Sequence, residues 1–479
     1  MLFNSYEFLL FLPCALMLYR LCARWLAVQN VWLVVASYVF YAWWDVRFLA
    51  LIVGLTAVGY LGGLALGRTA GQPRRARAVC VATAAVCLGV LGLFKYYGFF
   101  AENLAALLGN LGLAADFPTL RLVLPVGISF YTFQILSYVA DVYRRKLPPC
   151  RDAVAFAAFV SFFPQLVAGP IEKASHLLPQ MQRPRHVDYA GCVDGLRQML
   201  WGFVKKMLLA DRVAPVVQAV YGNPASDGTD LAMATVLFAL QIYGDFSGYS
   251  DIAVGTARLF GIRLSRNFAT PYFARSVPDF WRRWHISLMQ WFREYVYFPL
   301  GGSRCSRLCR ARNTFVVFAL SGLWHGAAWT FVAWGLFHAC CFLPHIFSRA
   351  AEPQSPVQPS GHGWAERARG LLQVAVTFVL VCVGWVFFRS ATLGEAFDHL
   401  SRMATDLHLH TPYGGLSTLC PVLFVVGVEW AMRHRRHGLD LAGRGLLRYR
   451  AARWAVYYAL LFAVAYWGGA QSEFIYFQF

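Results

Sequence analysis

The chain has 479 residues, of which 58% are hydrophobic and only 14% are charged. A soluble domain carries roughly a quarter of charged residues, so this composition excludes an ordinary soluble protein and indicates an integral membrane protein. The net charge is +19, but the basic residues fall in short clusters between apolar runs. That distribution follows the positive-inside rule and argues against a nucleic-acid partner.

Apolar runs long enough to cross a bilayer recur along the whole chain. Crossing a hydrocarbon core of ~30 Å takes roughly 20 residues of helix. The candidate spans are residues 6–22, 28–45, 48–66, 79–98, 121–142, 196–219, 230–260, 313–346, 370–389, 415–432 and 454–470. The predicted fold is therefore all-α, a polytopic membrane protein with about eleven transmembrane helices plus re-entrant and interfacial helices.

The basic clusters predict the orientation of these spans. Arginines and lysines follow the first, third and fifth spans, which places those ends in the cytoplasm and the N-terminus outside. Clusters within 304–312 and 433–453 predict two further cytoplasmic loops. A single pass through the 34 residues of 313–346 would put the second loop outside. We therefore predict a broken or re-entrant pair that turns at Gly322, Gly326 or Gly335, and a C-terminus on the outer side.

The twelve cysteines lie mostly inside apolar runs, where a cysteine behaves as a small hydrophobe. Cys305 and Cys309 share a basic loop, but no second pair at suitable spacing completes a tetrahedral metal site. We predict neither a disulfide framework nor a metal site.

Residues 280–295 predict an amphipathic helix at the membrane interface, with tryptophans on one face and arginines on the other. His285 falls at the edge of the apolar stripe, where a histidine is most often a hydrogen-bonded core residue. Arg282 and Arg283 favour a functional alternative, because guanidinium groups suit lipid headgroups or the phosphates of a bound cofactor.

His325 is the stronger catalytic candidate. It follows Arg312, at the predicted cytoplasmic edge, by thirteen residues, which is about 20 Å of helix. An ionisable group at that depth is costly to insert and indicates function. Apolar surroundings favour the neutral imidazole, which is the form a general base needs. Gly326 leaves room for a substrate, although close helix packing explains a small residue equally well.

Polar side chains interrupt two other apolar runs. Asp245, Ser247, Tyr249 and Asp251 place carboxylates and hydroxyls inside one span, which predicts a wet cavity or channel. Gln165 lies in a run that two prolines break, and broken helices at membrane depth line protein cavities.

The C-terminal residues 474–479 alternate aromatic and other side chains. An aromatic anchor at the membrane interface is the ordinary explanation. Tyr476 nevertheless offers a hydroxyl close to the predicted outer face.

Together these motifs resemble the membrane-bound O-acyltransferase family, in particular the bacterial branch that O-acetylates exported polysaccharides such as alginate. The resemblance covers most of the chain and rests on residues 125–130 (PVGISF), 163–165 (FPQ), 168–170 (AGP), 245–251 (DFSGYSD), 280–285 (FWRRWH) and 322–326 (GLWHG).

The resemblance implies a helical ring around a central channel, forming one transmembrane domain over residues 1–479 with a catalytic core stretch at 279–341. It also implies a bacterial inner-membrane location and acetyl-CoA as a co-substrate loaded from the cytoplasm, without a permanently bound cofactor. His325 would be the catalytic histidine and His285 a supporting one, with Arg282, Arg283 and Trp324 at the donor. The acyl group would pass outward, in contact with membrane lipid, to a separate extracytoplasmic acetyltransferase.

The terminal aromatic motif resembles one that D-alanylation systems carry on a small separate peptide, whose tyrosine is thought to accept the acyl group. By that resemblance Tyr476 would be a transient acyl carrier. Two alternatives stay open: acylation of teichoic acid, lipid or protein within the same reaction class, and a transporter or flippase, which polar channel residues would also fit.

Overall fold

The computed structural model describes residues 1–69, 71–113, 122–167, 169–348, 364–408, 415–441, 445–469, 472, 474 and 475. Every regular element within these ranges is a helix, which confirms the predicted all-α class. The chain forms two compact units. The first comprises Met1–Cys192, Thr256–Ser265 and Gly326–Ala328, and the second comprises Val193–Gly255, Arg266–His325 and Trp329–Phe479.

The helices up to residue 181 are α1 (Tyr6–Leu21), α2 (Leu26–Ala42), α3 (Phe48–Arg68), α4 (Pro73–Lys95), α5 (Tyr97–Asn110), α6 (Ile128–Tyr143), α7 (Ala153–Ser161), α8 (Phe163–Leu166) and α9 (Ala174–Met181). Asp152 caps α7 by accepting hydrogen bonds from the Val154 and Ala155 amides, and the helix ends at Ser161. The predicted break near the prolines is therefore confirmed. Gln165 is buried in this first unit, where its amide donates to the Phe159 carbonyl at 2.9 Å.

The later helices are α10 (Tyr189–Phe203), α11 (Asp211–Tyr221), α12 (Gly228–Leu259), α13 (Val277–Arg283), α14 (Ile286–Phe292), α15 (Arg307–His325), α16 (Trp329–Phe347), α17 (Trp364–Arg389), α18 (Leu393–Thr405), α19 (Gly415–Ala431) and α20 (Arg450–Trp467). A π-helix, Val204–Ala210, joins α10 to α11, and another, Arg293–Tyr297, follows α14. Short 3₁₀ turns lie at Pro271–Phe273 and Gly445–Arg448.

Five of the described helices, α3, α4, α12, α16 and α17, are long and apolar enough to cross a membrane. Two shorter apolar helices, Leu26–Ala42 and Thr418–Ala431, fall below that length. The most apolar window of α12 is 78% buried, whereas that of α4 is 17% buried. Because α12 lies inside the protein, its polar residues 245–251 must find partners among other side chains.

The run 313–346 is a helical hairpin, as predicted. Helix α15 ends at His325 and α16 begins at Trp329, so the turn is at residues 326–328. The two outer ends meet where the Arg307 guanidinium donates to the Phe347 carbonyl at 3.2 Å. Gly322 and Gly335 do not turn the chain. A Cβ at either position would collide with backbone of the facing helix, so both glycines permit close helix packing.

One sequence expectation is wrong. The stretch 280–295 is not one interfacial helix, because α13 ends at Arg283 and α14 begins at Ile286, and most of its aromatic side chains are buried. Cys305 and Cys309, whose pairing the sequence did not predict, form one disulfide within a single loop. The loop before α15 brings their Cα atoms within 5.9 Å, a separation that a disulfide can bridge.

Candidate active site

The break between α13 and α14 positions His285. Trp284 is extended and His285 adopts a left-handed conformation with φ of 44°. A neighbouring segment holds this break: the Ala269 amide donates to the Arg283 carbonyl, and the Ile286 amide donates to the Asn267 carbonyl, each at 2.9 Å. The left-handed conformation of a non-glycine residue costs about 1–2 kcal/mol. These tertiary hydrogen bonds take the place of the helical ones that the break removes.

Asn267 fixes the tautomer of His285. The Ser287 amide N–H can only donate, and it points at Asn267 Oδ1 at 3.3 Å, with the Ser287 hydroxyl at 2.9 Å from the same oxygen. His285 Nδ1 lies 3.1 Å from that oxygen and therefore carries the proton. His285 Nε2 is buried and has no hydrogen-bond partner among the described residues. The lone pair of a neutral His285 is thus on Nε2.

His285 and His325 belong to a row in which imidazole and indole rings alternate. The distance between neighbouring ring centroids is 5.7 Å for His285 and Trp324, 5.0 Å for Trp324 and His325, 5.1 Å for His325 and Trp334, and 5.2 Å for Trp334 and His338. All five side chains are at most 4% exposed. We call this set the histidine row. Trp324 contacts both motif histidines, so the structure brings the two predicted catalytic side chains to one place.

His338 is a member of the row that the sequence reasoning missed. The Trp281 indole N–H donates to His338 Nδ1 at 3.3 Å, so the proton of a neutral His338 is on Nε2, the opposite tautomer to His285. Its position could have identified it as a candidate, because His338 lies in the apolar run that forms α16, where an ionisable residue is rare.

The predicted cofactor-binding arginines lie apart from this arrangement. Arg282 is exposed. Arg283 donates to Asp279, one turn earlier on α13, at 3.0 Å. Trp324, the third predicted cofactor residue, is buried in the histidine row.

Two lysines that the sequence reasoning missed bind the carboxylates of α12. Lys205 pairs with Asp251 at 2.6 Å, and Lys206 pairs with Asp245 at 2.8 Å. Both lysines lie on the first π-helix and both are buried. Two adjacent lysines inside the apolar run 196–219 could have been found from the sequence, because a charged side chain within a membrane span is costly to insert and usually has a function.

Three described residues, Ser472, Phe474 and Ile475, here called the C-terminal segment, lie beside this pair. The Ile475 amide donates to Asp245 Oδ2 at 2.7 Å. The Phe474 ring contacts Tyr249 at 4.5 Å and Phe246 at 5.8 Å between centroids. Tyr476, the predicted acyl carrier, follows directly in the chain but lies outside the described residues.

A cleft in the second unit opens beside Asn267. Its empty volume is about 460 Å³, space open to solvent included, and its lining includes Ser247, Asp251, Asn267, Lys205 and three arginines, Arg266, Arg435 and Arg436. The two carboxylates on its wall have partners: Asp251 binds Lys205 and Gln198, and Glu429 accepts hydrogen bonds from Trp201 and Tyr243. The arginines give the cleft a positive potential suited to an anionic ligand.

The second unit thus combines buried histidines with a cleft lined by arginines, inside an apolar helical protein. Residues 3–362 match MBOAT, the membrane-bound O-acyltransferase family. The chain belongs to this family and is an acyltransferase.

The similar proteins differ in the acceptor that their names give. The probable alginate O-acetylase AlgI of Pseudomonas aeruginosa is 39% identical over 84% of this chain and 75% of the relative. The peptidoglycan O-acetyltransferase of Helicobacter pylori is 31% identical over 100% of this chain and 98% of the relative. The teichoic acid D-alanyltransferase of Bacillus subtilis is 27% identical over 59% of this chain and 72% of the relative.

Proposed function

We propose that this protein takes an acetyl group from cytoplasmic acetyl-CoA and passes it across the bacterial inner membrane for O-acetylation of an exported polysaccharide such as alginate. A separate extracytoplasmic acetyltransferase would receive the group, and both chain termini would lie outside. The observation that carries the proposal is the histidine row, which buries His325 and His285 around Trp324. The similarity to alginate and peptidoglycan O-acetylating relatives supports an acetyl group and a polysaccharide acceptor.

In the proposed step His325 accepts the proton of the attacking hydroxyl. The hydroxyl oxygen bonds to the acetyl carbon, the carbon–sulfur bond breaks, and the CoA thiolate leaves and takes up the proton. His285, which contacts the same Trp324 ring as His325, would have a supporting role. Tyr476 would supply the hydroxyl as a transient carrier, and the anchored Ile475 beside Asp245 supports that role.

His325→Ala tests the base. Losing a general base typically costs about 10²- to 10⁴-fold in rate, so acetylation should nearly vanish while the protein still inserts in the membrane. His345→Ala is the matched control, because His345 is an exposed histidine on the same hairpin. Acetylation by His325→Ala at the rate of His345→Ala would contradict the assignment.

We further assign the phosphates of the CoA donor to the cleft arginines, Arg266, Arg435 and Arg436. No ion pair of these three arginines occurs within the described part of the chain, whereas Arg283 is already bound to Asp279. A charge-assisted hydrogen bond is worth roughly 1.5–3 kcal/mol, so removing one should raise KM for acetyl-CoA tenfold or more.

Steady-state kinetics of Arg435→Gln, Arg436→Gln and Arg282→Gln test this assignment. The two cleft variants should raise KM with little change in kcat, because the phosphates are remote from the reacting carbon. A KM increase confined to Arg282→Gln would place the donor at α13 instead.

A further inference from the structure

Three buried ionisable side chains form a cluster at the end of the first π-helix. Lys206 Nζ lies 2.8 Å from Asp211 Oδ1 and 2.8 Å from Asp245 Oδ1. None of the three residues is more than 3% exposed. One ammonium faces two carboxylates, so the cluster is not neutral by itself, and burying such a set is costly unless further hydrogen bonds stabilise it.

The C-terminal segment supplies those further hydrogen bonds. Lys206 Nζ donates to the Ser472 carbonyl at 3.2 Å and to the Ser472 hydroxyl at 3.3 Å. The Ser472 hydroxyl donates to Asp211, and the Ile475 amide donates to Asp245 at 2.7 Å. Each of the three charged residues therefore touches the segment directly.

Neighbouring groups add to this attachment. The Gly469 amide donates to the Met207 carbonyl of the π-helix at 3.1 Å, and a Cβ at Gly469 would crowd Asp211. Phe474 and Ile475 are at most 2% exposed, so the segment is buried as well as hydrogen-bonded.

The C-terminal segment also lies close to the histidine row. The Phe246 ring contacts Phe474 at 5.8 Å on one side and His285 at 4.7 Å on another, between centroids. The segment that the cluster holds is thus one aromatic ring away from a candidate catalytic histidine.

We propose that Lys206, Asp211 and Asp245 form a clamp that positions the C-terminal segment at the acyl-transfer site. They are positioning residues, acting through the segment rather than on the acyl group. This role rests on the proposed function, because holding Ile475 in place restricts where the next residue, Tyr476, can lie.

Carboxypeptidase digestion of the purified full-length protein, followed by intact mass spectrometry, tests the clamp without relying on activity. Digestion of the wild type should stop before residue 475. Lys206→Met should lose residues 472–475 at least about tenfold faster, because the carboxylates then lose their countercharge. Lys205→Met is the matched control, since Lys205 is a similarly buried neighbour that binds Asp251 and no described residue of the segment, and its digestion should follow the wild type. Lys206→Arg should restore protection.

A second pair of variants tests the clamp from the side of the segment, leaving the buried lysine intact. Ile475→Pro removes the amide donor to Asp245, whereas Ile475→Ala keeps that amide and shortens the side chain. Faster digestion of Ile475→Pro than of Ile475→Ala supports the clamp. The clamp would be ruled out if Lys206→Met were digested at the same rate as Lys205→Met, and Ile475→Pro at the same rate as Ile475→Ala.

Steady-state kinetics distinguish a positioning role of the clamp from a purely structural one, and they test the clamp separately from the proposed function. A misplaced acceptor lowers kcat by about 10²-fold while leaving donor binding intact, so Lys206→Met should reduce kcat and keep KM for acetyl-CoA, with Lys206→Arg restoring kcat. A rise in KM with unchanged kcat would contradict a positioning role. Full activity of Tyr476→Phe would defeat the tyrosine relay alone, because the digestion result does not depend on it.

Discussion

At the scale of single residues, His285 depends on a partner that is distant in sequence. The tautomer of this histidine follows from Asn267, which the Ser287 amide orients. Sequence reasoning found His285 from its motif but placed it at the edge of an apolar stripe. It could not find Asn267, because an asparagine in a loop 18 residues earlier gives no periodic signal.

Asn267→Ala should lower kcat by less than the ~10²- to 10⁴-fold that losing a base costs, because the imidazole stays but its tautomer is no longer fixed. Steady-state assays in membranes measure the effect. Ser265→Ala, two residues away in the other unit and bound to Glu172, is the comparison. A rate for Asn267→Ala equal to that of His285→Ala would mean that the asparagine does more than orient the ring.

At the scale of elements, the lengths of the apolar runs predicted the positions of most helices, because a helix must be apolar over roughly 20 residues to cross a bilayer. The side-chain periodicity predicted the wrong structure at 280–295, where backbone hydrogen bonds to residues 267–269 replace those of a continuous helix. Such tertiary bonds leave no trace in the side-chain pattern. The hairpin of 313–346 was predictable from its length, but its glycines play different parts: residues 326–328 turn the chain, whereas Gly322 and Gly335 pack the two helices together.

Gly322→Val should separate α15 from α16 and disturb His325 at the end of α15. Overpacking of this kind costs about 1–3 kcal/mol, so both thermal stability and acetylation should fall. Gly89→Ala in α4 is the control, because a Cβ there meets no atom within 4 Å, and the change should be neutral or stabilising by roughly 0.5–1 kcal/mol. A fully active, fully stable Gly322→Val would show that close packing of the hairpin is dispensable.

At the scale of the whole molecule, the hairpin removes a conflict in the predicted topology. Because the Arg307 guanidinium binds the Phe347 carbonyl, the segment enters and leaves on one side. The basic loops 304–312 and 433–453 can then both be cytoplasmic, as the positive-inside rule expects.

Single cysteines at Ser306 and His434, both exposed positions, test that topology in a cysteine-free background. An impermeant maleimide should label both in inside-out vesicles and neither in right-side-out vesicles. Opposite labelling of the two positions would mean that the chain crosses the membrane an odd number of times between them.

The reaction proposed for this protein consumes an acyl-CoA, whereas a transporter would move its substrate unchanged. Inside-out vesicles supplied with acetyl-CoA radiolabelled in the acetyl group measure this directly, with His325→Ala vesicles as the reference. We predict that wild-type vesicles release free CoA and bind the label covalently, and that the variant does neither. Transport of substrate without release of CoA would contradict the account and favour a transporter.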